Sequence, residues 1–104
     1  MVKISERRKC VRYGFQADAE ILHGGETKPA FITDVSMCGM FIVTETPLWM
    51  GAACTVRVLL IPPITLNCVV RRVLFGKGMG VDFEPLPEEV RVRLERLIAS
   101  LMNP

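Results

Sequence analysis

Apolar and polar residues alternate with a period of two from Phe15 to Ile21: Phe15, Ala17, Ala19 and Ile21 fall on one side, Gln16, Asp18 and Glu20 on the other. Successive side chains of an extended chain point to opposite faces, so this pattern predicts a strand with one buried face. His23-Gly24-Gly25-Glu26 supplies the backbone freedom that a reversal needs, and Lys28 to Val35 continues as a second strand of a hairpin. A short third strand, Met40 to Thr44, stops before Pro47, which has no N–H to give to a ladder. Cys54, Val56, Val58 and Leu60 alternate with Thr55, Arg57 and Leu59, and the Pro62-Pro63 corner separates this fourth strand from a fifth, Leu66 to Phe75. In the fifth, Leu66, Cys68 and Val70 keep one phase while Val73 and Phe75 keep the other, which predicts a bulge near Arg71 and Arg72. Met79 to Phe83, after Gly76-Lys77-Gly78, reads as a sixth strand.

The period then changes. Val90, Leu94, Leu97, Ile98 and Leu101 recur at three and four residues, the stripe of an amphipathic helix over 88–102, and Pro87-Glu88-Glu89 suits its N-terminus. Short strands at this spacing point to an antiparallel barrel or sandwich, with the helix covering an open end or offering a face to a partner.

The chain has 104 residues, enough for one core. With 50% apolar and 23% charged residues it is neither a disordered nor a polyelectrolyte sequence. The longest greasy stretch, Val58 to Ile64, is broken by Pro62 and Pro63 and is far short of the ~18 residues of a membrane span. Met1 to Arg12 is basic with no apolar run behind it, so no secretory signal is read and a cytoplasmic location is expected. The formal net charge of +2 is unevenly spread: Lys3, Arg7, Arg8, Lys9 and Arg12 face only Glu6 in the first twelve residues, leaving a mildly acidic remainder. A basic arm, residues 1–14, on an acidic body, residues 15–104, points to a local anion site. Arg71 and Arg72 read as the solvated edge of a strand before an extension of the positive rim, and Trp49 as a core or barrel-rim residue before a base-stacking platform.

Cys10, Cys38, Cys54 and Cys68 form no C-x-x-C pair and His23 is the only imidazole, so no metal site is expected and the thiols read as reduced, small hydrophobes. No nucleophile has a base beside it, which argues against an enzyme.

Two constellations carry chemistry: Arg8-x-x-x-Arg12 before the first strand, and Asp34-x-Ser36-x-x-Gly39 between the second and third. Each alone is weak, since arginines four apart arise in any basic segment and the second motif also describes an Asx or ST turn. In this order, with six strands and a terminal helix around them, they resemble the PilZ domain, the bacterial receptor for cyclic di-GMP. The resemblance extends through Pro47, Gly51 and Gly78-Met79-Gly80-Val81-Asp82-Phe83. It implies a mainly β protein, a six-stranded antiparallel PilZ-type β-barrel with a C-terminal helix, and cyclic di-GMP as ligand with no cofactor. Arg7, Arg8, Arg12, Asp34, Ser36 and Gly39 are the ligand-binding residues it implies, an arginine at position 7 going with an intercalated pair of ligands.

The chemistry agrees with that implication. A guanidinium bridges phosphate oxygens, grips guanine O6 and N7, or stacks on a purine; a carboxylate at Asp34 accepts from guanine N1–H and the N2 amine. Ser36 offers a hydroxyl and Gly39 an unhindered backbone. Ligand binding is expected to order a mobile arm, bringing Cys10 and Cys38 near each other, and to change contacts with a protein partner not identified by the sequence. Two other readings are a protein-interaction module of the same fold without nucleotide affinity, and a barrel for single-stranded nucleic acid. An aromatic content of 7% is thin for the last, and no nucleic-acid partner is expected.

Overall fold

The computed structural model describes residues 10–102. Among the described residues six strands, β1 (Tyr13–His23), β2 (Glu26–Val35), β3 (Gly39–Val43), β4 (Ala53–Val58), β5 (Ile64–Leu74) and β6 (Gly78–Phe83), precede one helix, α1 (Glu88–Met102). They close in the order β1-β2-β3-β6-β5-β4. Every pairing is antiparallel, and the ring is completed by β1 against β4, with Ala19 opposite Val58 and Ile21 opposite Val56. Closure leaves no ladder unpaired, which is how a small all-β chain satisfies its backbone.

Apart from Phe75, the period-two stripes turn toward the core. Ala19, Ile21, Ile32, Ile42, Val56, Leu66, Cys68, Val70, Met79 and Val81 share one core. The predicted bulge is present in β5, where the register against β6 shifts between Val70 and Arg72. Helix α1 turns Leu94 and Ile98 into the core, with Val90, Leu97 and Leu101 packed half-buried around them. Arg93 fastens it from outside, donating to the carbonyls of Pro62 at 2.7 Å and Pro63 at 2.9 Å.

Four expectations need correction. Strand β1 starts at Tyr13, so Tyr13 and Gly14 belong to the ladder and not to the arm. Arg71 and Arg72 lie on no edge, because β5 sits between β4 and β6 in a closed barrel. Phe75 is not in phase with Val73: the strand ends at Leu74, the chain turns at Gly76 with φ of 77°, and Phe75 is 91% exposed. The thiols do not all stay reduced, since Cys10 and Cys38 form a disulfide, whereas Cys54 and Cys68 are free and buried. The chain path from β1 to the β2–β3 loop brings the first pair within bonding reach, with their Cα atoms 5.9 Å apart.

Candidate functional site

The two motif segments meet because β1 and β2 are paired. Their register sets Tyr13 opposite Val35 and Gly14 opposite Asp34, so the residue just before β1 arrives beside the end of β2. Arg12 Nη1 donates to Asp34 Oδ1 at 2.5 Å, across 22 residues of sequence. Both groups stay in contact with water, the side chains being 52% and 32% exposed. The pair is therefore a charged corner open to a ligand, and exposed pairs of this kind exchange partners at little cost. Arg7 and Arg8 lie outside the described residues, as does the expected mobility of the chain before Cys10.

Beyond Asp34 the loop closes on itself. The Ser36 N–H donates to the Gly39 carbonyl at 2.8 Å. Ser36 Oγ accepts from the N–H of Cys38 at 3.0 Å and of Gly39 at 3.1 Å, and donates to the Gly39 carbonyl at 3.2 Å. With 2% of its surface exposed, this hydroxyl is spent on the turn. The loop is thus the ST turn that the motif also describes.

Gly39 is a glycine for a reason the sequence does not display. Its φ is not in the left-handed region, so turning does not require it. A Cβ built there would collide with the carbonyl oxygen of Val81, because β6 runs close beside the start of β3 as its antiparallel partner. The loop is locked to β6 again by Phe83 N–H donating to the Cys38 carbonyl at 2.8 Å.

Next to the corner runs a row of residues of which the sequence reading did not single out Phe41. Asp34 on β2 pairs with Phe41 on β3, Phe41 with Gly80 on β6, and Gly80 with Arg72 on β5. Met40 and Ile42 point inward, which turns Phe41 to the outer surface. A Cβ on Gly80 would lie 3.9 Å from the Phe41 ring and 3.7 Å from Arg72 Cβ, so the glycine leaves a shallow floor between an aromatic ring and a guanidinium stem. Beside it Arg71 Nε donates to Asp82 Oδ2 at 3.1 Å, and Asp82 is the register partner of Gly39. The alternation of Met40, Phe41 and Ile42 is the signal that points Phe41 outward; that it neighbours Asp34 depends on the pairing of strands.

The disulfide enters the same neighbourhood. Cys10 stands two residues before Arg12, Cys38 lies one before Gly39, and both are half-buried. The other two thiols face the core as register partners on β4 and β5. Burial pushes the pKa of Cys54 up, and that of Cys68 up further, with the nearby Cys54, Glu84 and Asp82 adding to the effect.

Other features lie apart from the corner. A groove of about 630 Å³, lined by Lys28, Phe31, Val43, Thr46 and Lys77 among others, opens farther back along β2 and beside the β5–β6 turn. Trp49 is 63% exposed at the rim, edge-on to His23 with ring centroids 5.2 Å apart. Among the described residues no group of three or more His, Cys, Asp or Glu side chains could hold a metal. No helix among them is long and apolar enough to cross a membrane.

A closed six-stranded barrel, one helix packed on it, and a cation–carboxylate corner at the entrance to β1 define the class of this module. The sequence profile of the PilZ domain matches residues 6–100, and the chain belongs to the PilZ domain family. Structures of similar fold include the PilZ domain of YcgR from Escherichia coli with c-di-GMP, with a TM-score of 0.73, 20% identity, and coverage of 92% of each chain. The inhibitor of motility MotI/DgrA of Bacillus subtilis has a TM-score of 0.75 and 20% identity over 93% of this chain and 52% of its own. The MrkH–c-di-GMP complex of K. pneumonia has a TM-score of 0.76 and 20% identity over 92% of this chain and 52% of its own. The chain thus spans about half the length of the last two. A comparison with curated protein sequences found no match.

Proposed function

We propose that the protein is a non-catalytic receptor for cyclic di-GMP, whose binding changes how the N-terminal arm is held and so alters contact with a protein partner. The observation that carries this reading is the contact of Arg12 with Asp34, an arginine of the first motif against the acid of the second. Family membership and the cyclic di-GMP in the structures of the YcgR PilZ domain and MrkH support it.

The corner is pre-paired. Each charge is compensated by the other until a ligand arrives that offers both an anion and a donor edge. Arg12 then turns to a phosphodiester or to guanine O6 and N7, and Asp34 accepts from guanine N1–H and the N2 amine. Arg8 and Arg7, covalently close to Arg12, add guanidinium groups for the second phosphate and for a second ligand molecule. Ser36 acts as a positioning residue through its turn, and Gly39 by letting β6 approach. The Phe41 ring, beside Asp34, offers a face for a guanine, with Arg72 beyond it.

Calorimetric titration of the full chain with cyclic di-GMP, repeated on Arg12→Ala and Asp34→Ala, tests this. Hydrogen bonds to charged groups contribute about 1.5–3 kcal/mol each, so either substitution is expected to weaken binding at least tenfold. A folded wild type that shows no heat of binding would overturn the receptor reading and leave a protein-interaction module of the same fold.

A further inference from the structure

We propose that Arg71 and Asp82 form a second guanine-reading pair, which takes the other base of a cyclic di-GMP molecule held at the Arg12–Asp34 corner; the inference rests on the receptor reading above. Of the ion pairs among the described residues, Arg12–Asp34 and Arg71–Asp82 are the two that join an arginine to an aspartate. They also match in exposure, with arginine and aspartate side chains 52% and 32% exposed in the first and 53% and 23% in the second. Both pairs are open to a ligand.

The two pairs share one outer surface. Asp34 faces Phe41 across the β2–β3 ladder, and Asp82 faces Gly39 across the β3–β6 ladder, two residues farther back along β3. With strands about 4.8 Å apart and about 3.4 Å of rise per residue, the two aspartate Cα atoms lie roughly 12 Å from each other. Met79 and Val81 are buried, so Gly80 and Asp82 turn outward, as Phe41 does between Met40 and Ile42. The surface between the pairs is therefore the Phe41 ring and the bare backbone of Gly80. Arg72, exposed and opposite Gly80, adds positive charge beside this floor for a phosphodiester.

A two-fold ligand asks for this duplication. Cyclic di-GMP carries two identical guanines on one ring of two riboses and two phosphodiesters, and a single corner reads one of them. The edge of guanine presents an acceptor, O6, followed by two donors, N1–H and the N2 amine. An arginine beside a carboxylate is its complement: Arg71 donates to O6, and Asp82 accepts from N1–H and the amine. Adenine presents the reverse, a donor at N6 and an acceptor at N1, and its N1 lone pair would meet the carboxylate. Arg71 Nε donates to Asp82 Oδ2 at 3.1 Å. Asp82 does not have to release Arg71 to receive a base, because a carboxylate accepts several hydrogen bonds at once and the guanidinium has further N–H donors.

Holding two strands together is a weak reason for the pair. Strands β5 and β6 already share a ladder from Cys68 to Leu74, and an exposed ion pair adds little to it.

The test compares cyclic di-GMP with cyclic GMP–AMP, which keeps one guanine and replaces the other by adenine, in calorimetric titrations of the full chain. Wild type is expected to bind the mixed ligand more weakly by about fivefold or more, since one pair takes the guanine and the other meets the wrong base. Asp82→Asn and Arg71→Ala, each checked for a cooperative thermal transition, are expected to weaken cyclic di-GMP by about fivefold or more and to leave cyclic GMP–AMP within twofold, so that the preference for a second guanine disappears. A pair that only kept the β3–β6 surface in shape would move both ligands equally. Wild type that binds the two ligands within twofold of each other overturns the second reading pair without any variant, and so do folded variants that weaken both ligands alike or neither. In each of these cases binding of cyclic di-GMP leaves the receptor reading standing. Absence of cyclic di-GMP binding by folded wild type overturns both readings together.

Discussion

The missing side chain of Gly39 points at the carbonyl oxygen of Val81, so the motif glycine is set by the approach of β3 to β6. Gly39→Ala is expected to force the two strands apart and to lower unfolding stability by about 1–3 kcal/mol, the range for overpacking a close-fitted site. Chemical denaturation checks it. Because Cys38 accepts from Phe83 in the same stretch, the substitution is also expected to weaken cyclic di-GMP binding. An alanine variant as stable as wild type would show that the strands can yield there.

Ser36 serves three backbone groups from inside the loop. Ser36→Ala leaves the N–H groups of Cys38 and Gly39 without the hydroxyl that satisfies them, and buried polar groups left unpaired cost about 1–3 kcal/mol. Stability is expected to fall by that amount and binding to fall with it. Ser36→Thr, which keeps the hydroxyl, is expected to restore part of both. A variant that loses affinity at unchanged stability would instead mean that the hydroxyl meets the ligand directly.

Phe41 is placed beside Asp34 by strand register and turned outward by the burial of its neighbours. Stacking of a base on an aromatic ring contributes about 1–3 kcal/mol by alanine substitution. Phe41→Ala is expected to weaken cyclic di-GMP binding fivefold or more, and Phe41→Tyr to preserve it. Equal affinities for all three proteins in calorimetric titration would remove the ring from the site.

The buried thiols make stability depend on alkaline pH. The pKa values of Cys54 and Cys68 are both raised by burial above the ordinary 9.0. Above that value the unfolded chain releases these protons while the folded chain keeps them, so the unfolded state binds fewer protons and stability falls as pH rises. Their contribution is fully present below about pH 9, and for Cys68 the loss approaches ~1.4 kcal/mol per pH unit above it. Denaturation of wild type and Cys68→Ala across this range checks the sign: the variant, less stable at neutral pH, is expected to show the shallower alkaline decline. Identical slopes would mean that the thiol ionises freely in the fold.

The motif residues were legible in the sequence, but what Ser36 and Gly39 touch was not. Arg12 and Asp34 were recognisable from residue type and spacing, because charge and hydrogen-bonding capacity belong to the side chain itself. Ser36 looks the same in sequence whether its hydroxyl faces a ligand or its own turn. Gly39 looks the same whether it serves a tight turn or a close strand pairing. These alternatives differ only in what lies opposite, and Val81, 42 residues away, decides the second. Phe41 stood in plain view as an outward position in a short strand, but its value depends on Asp34, Gly80 and Arg72 being its neighbours on three other strands.

The local pattern alone determined the strands, the bulge near Arg71 and the helix Glu88–Met102, because the two-residue and 3.6-residue periods come from backbone geometry and are written directly in which residues avoid water. The closing of β1 onto β4, the absence of an edge at β5, the outward row from Asp34 to Arg72 and the joining of Cys10 to Cys38 were decided by tertiary structure. Each is a contact between residues distant in sequence. The order in which strands pair is settled by closing the backbone ladder around a single apolar core, a condition on the whole chain that no short stretch of it carries.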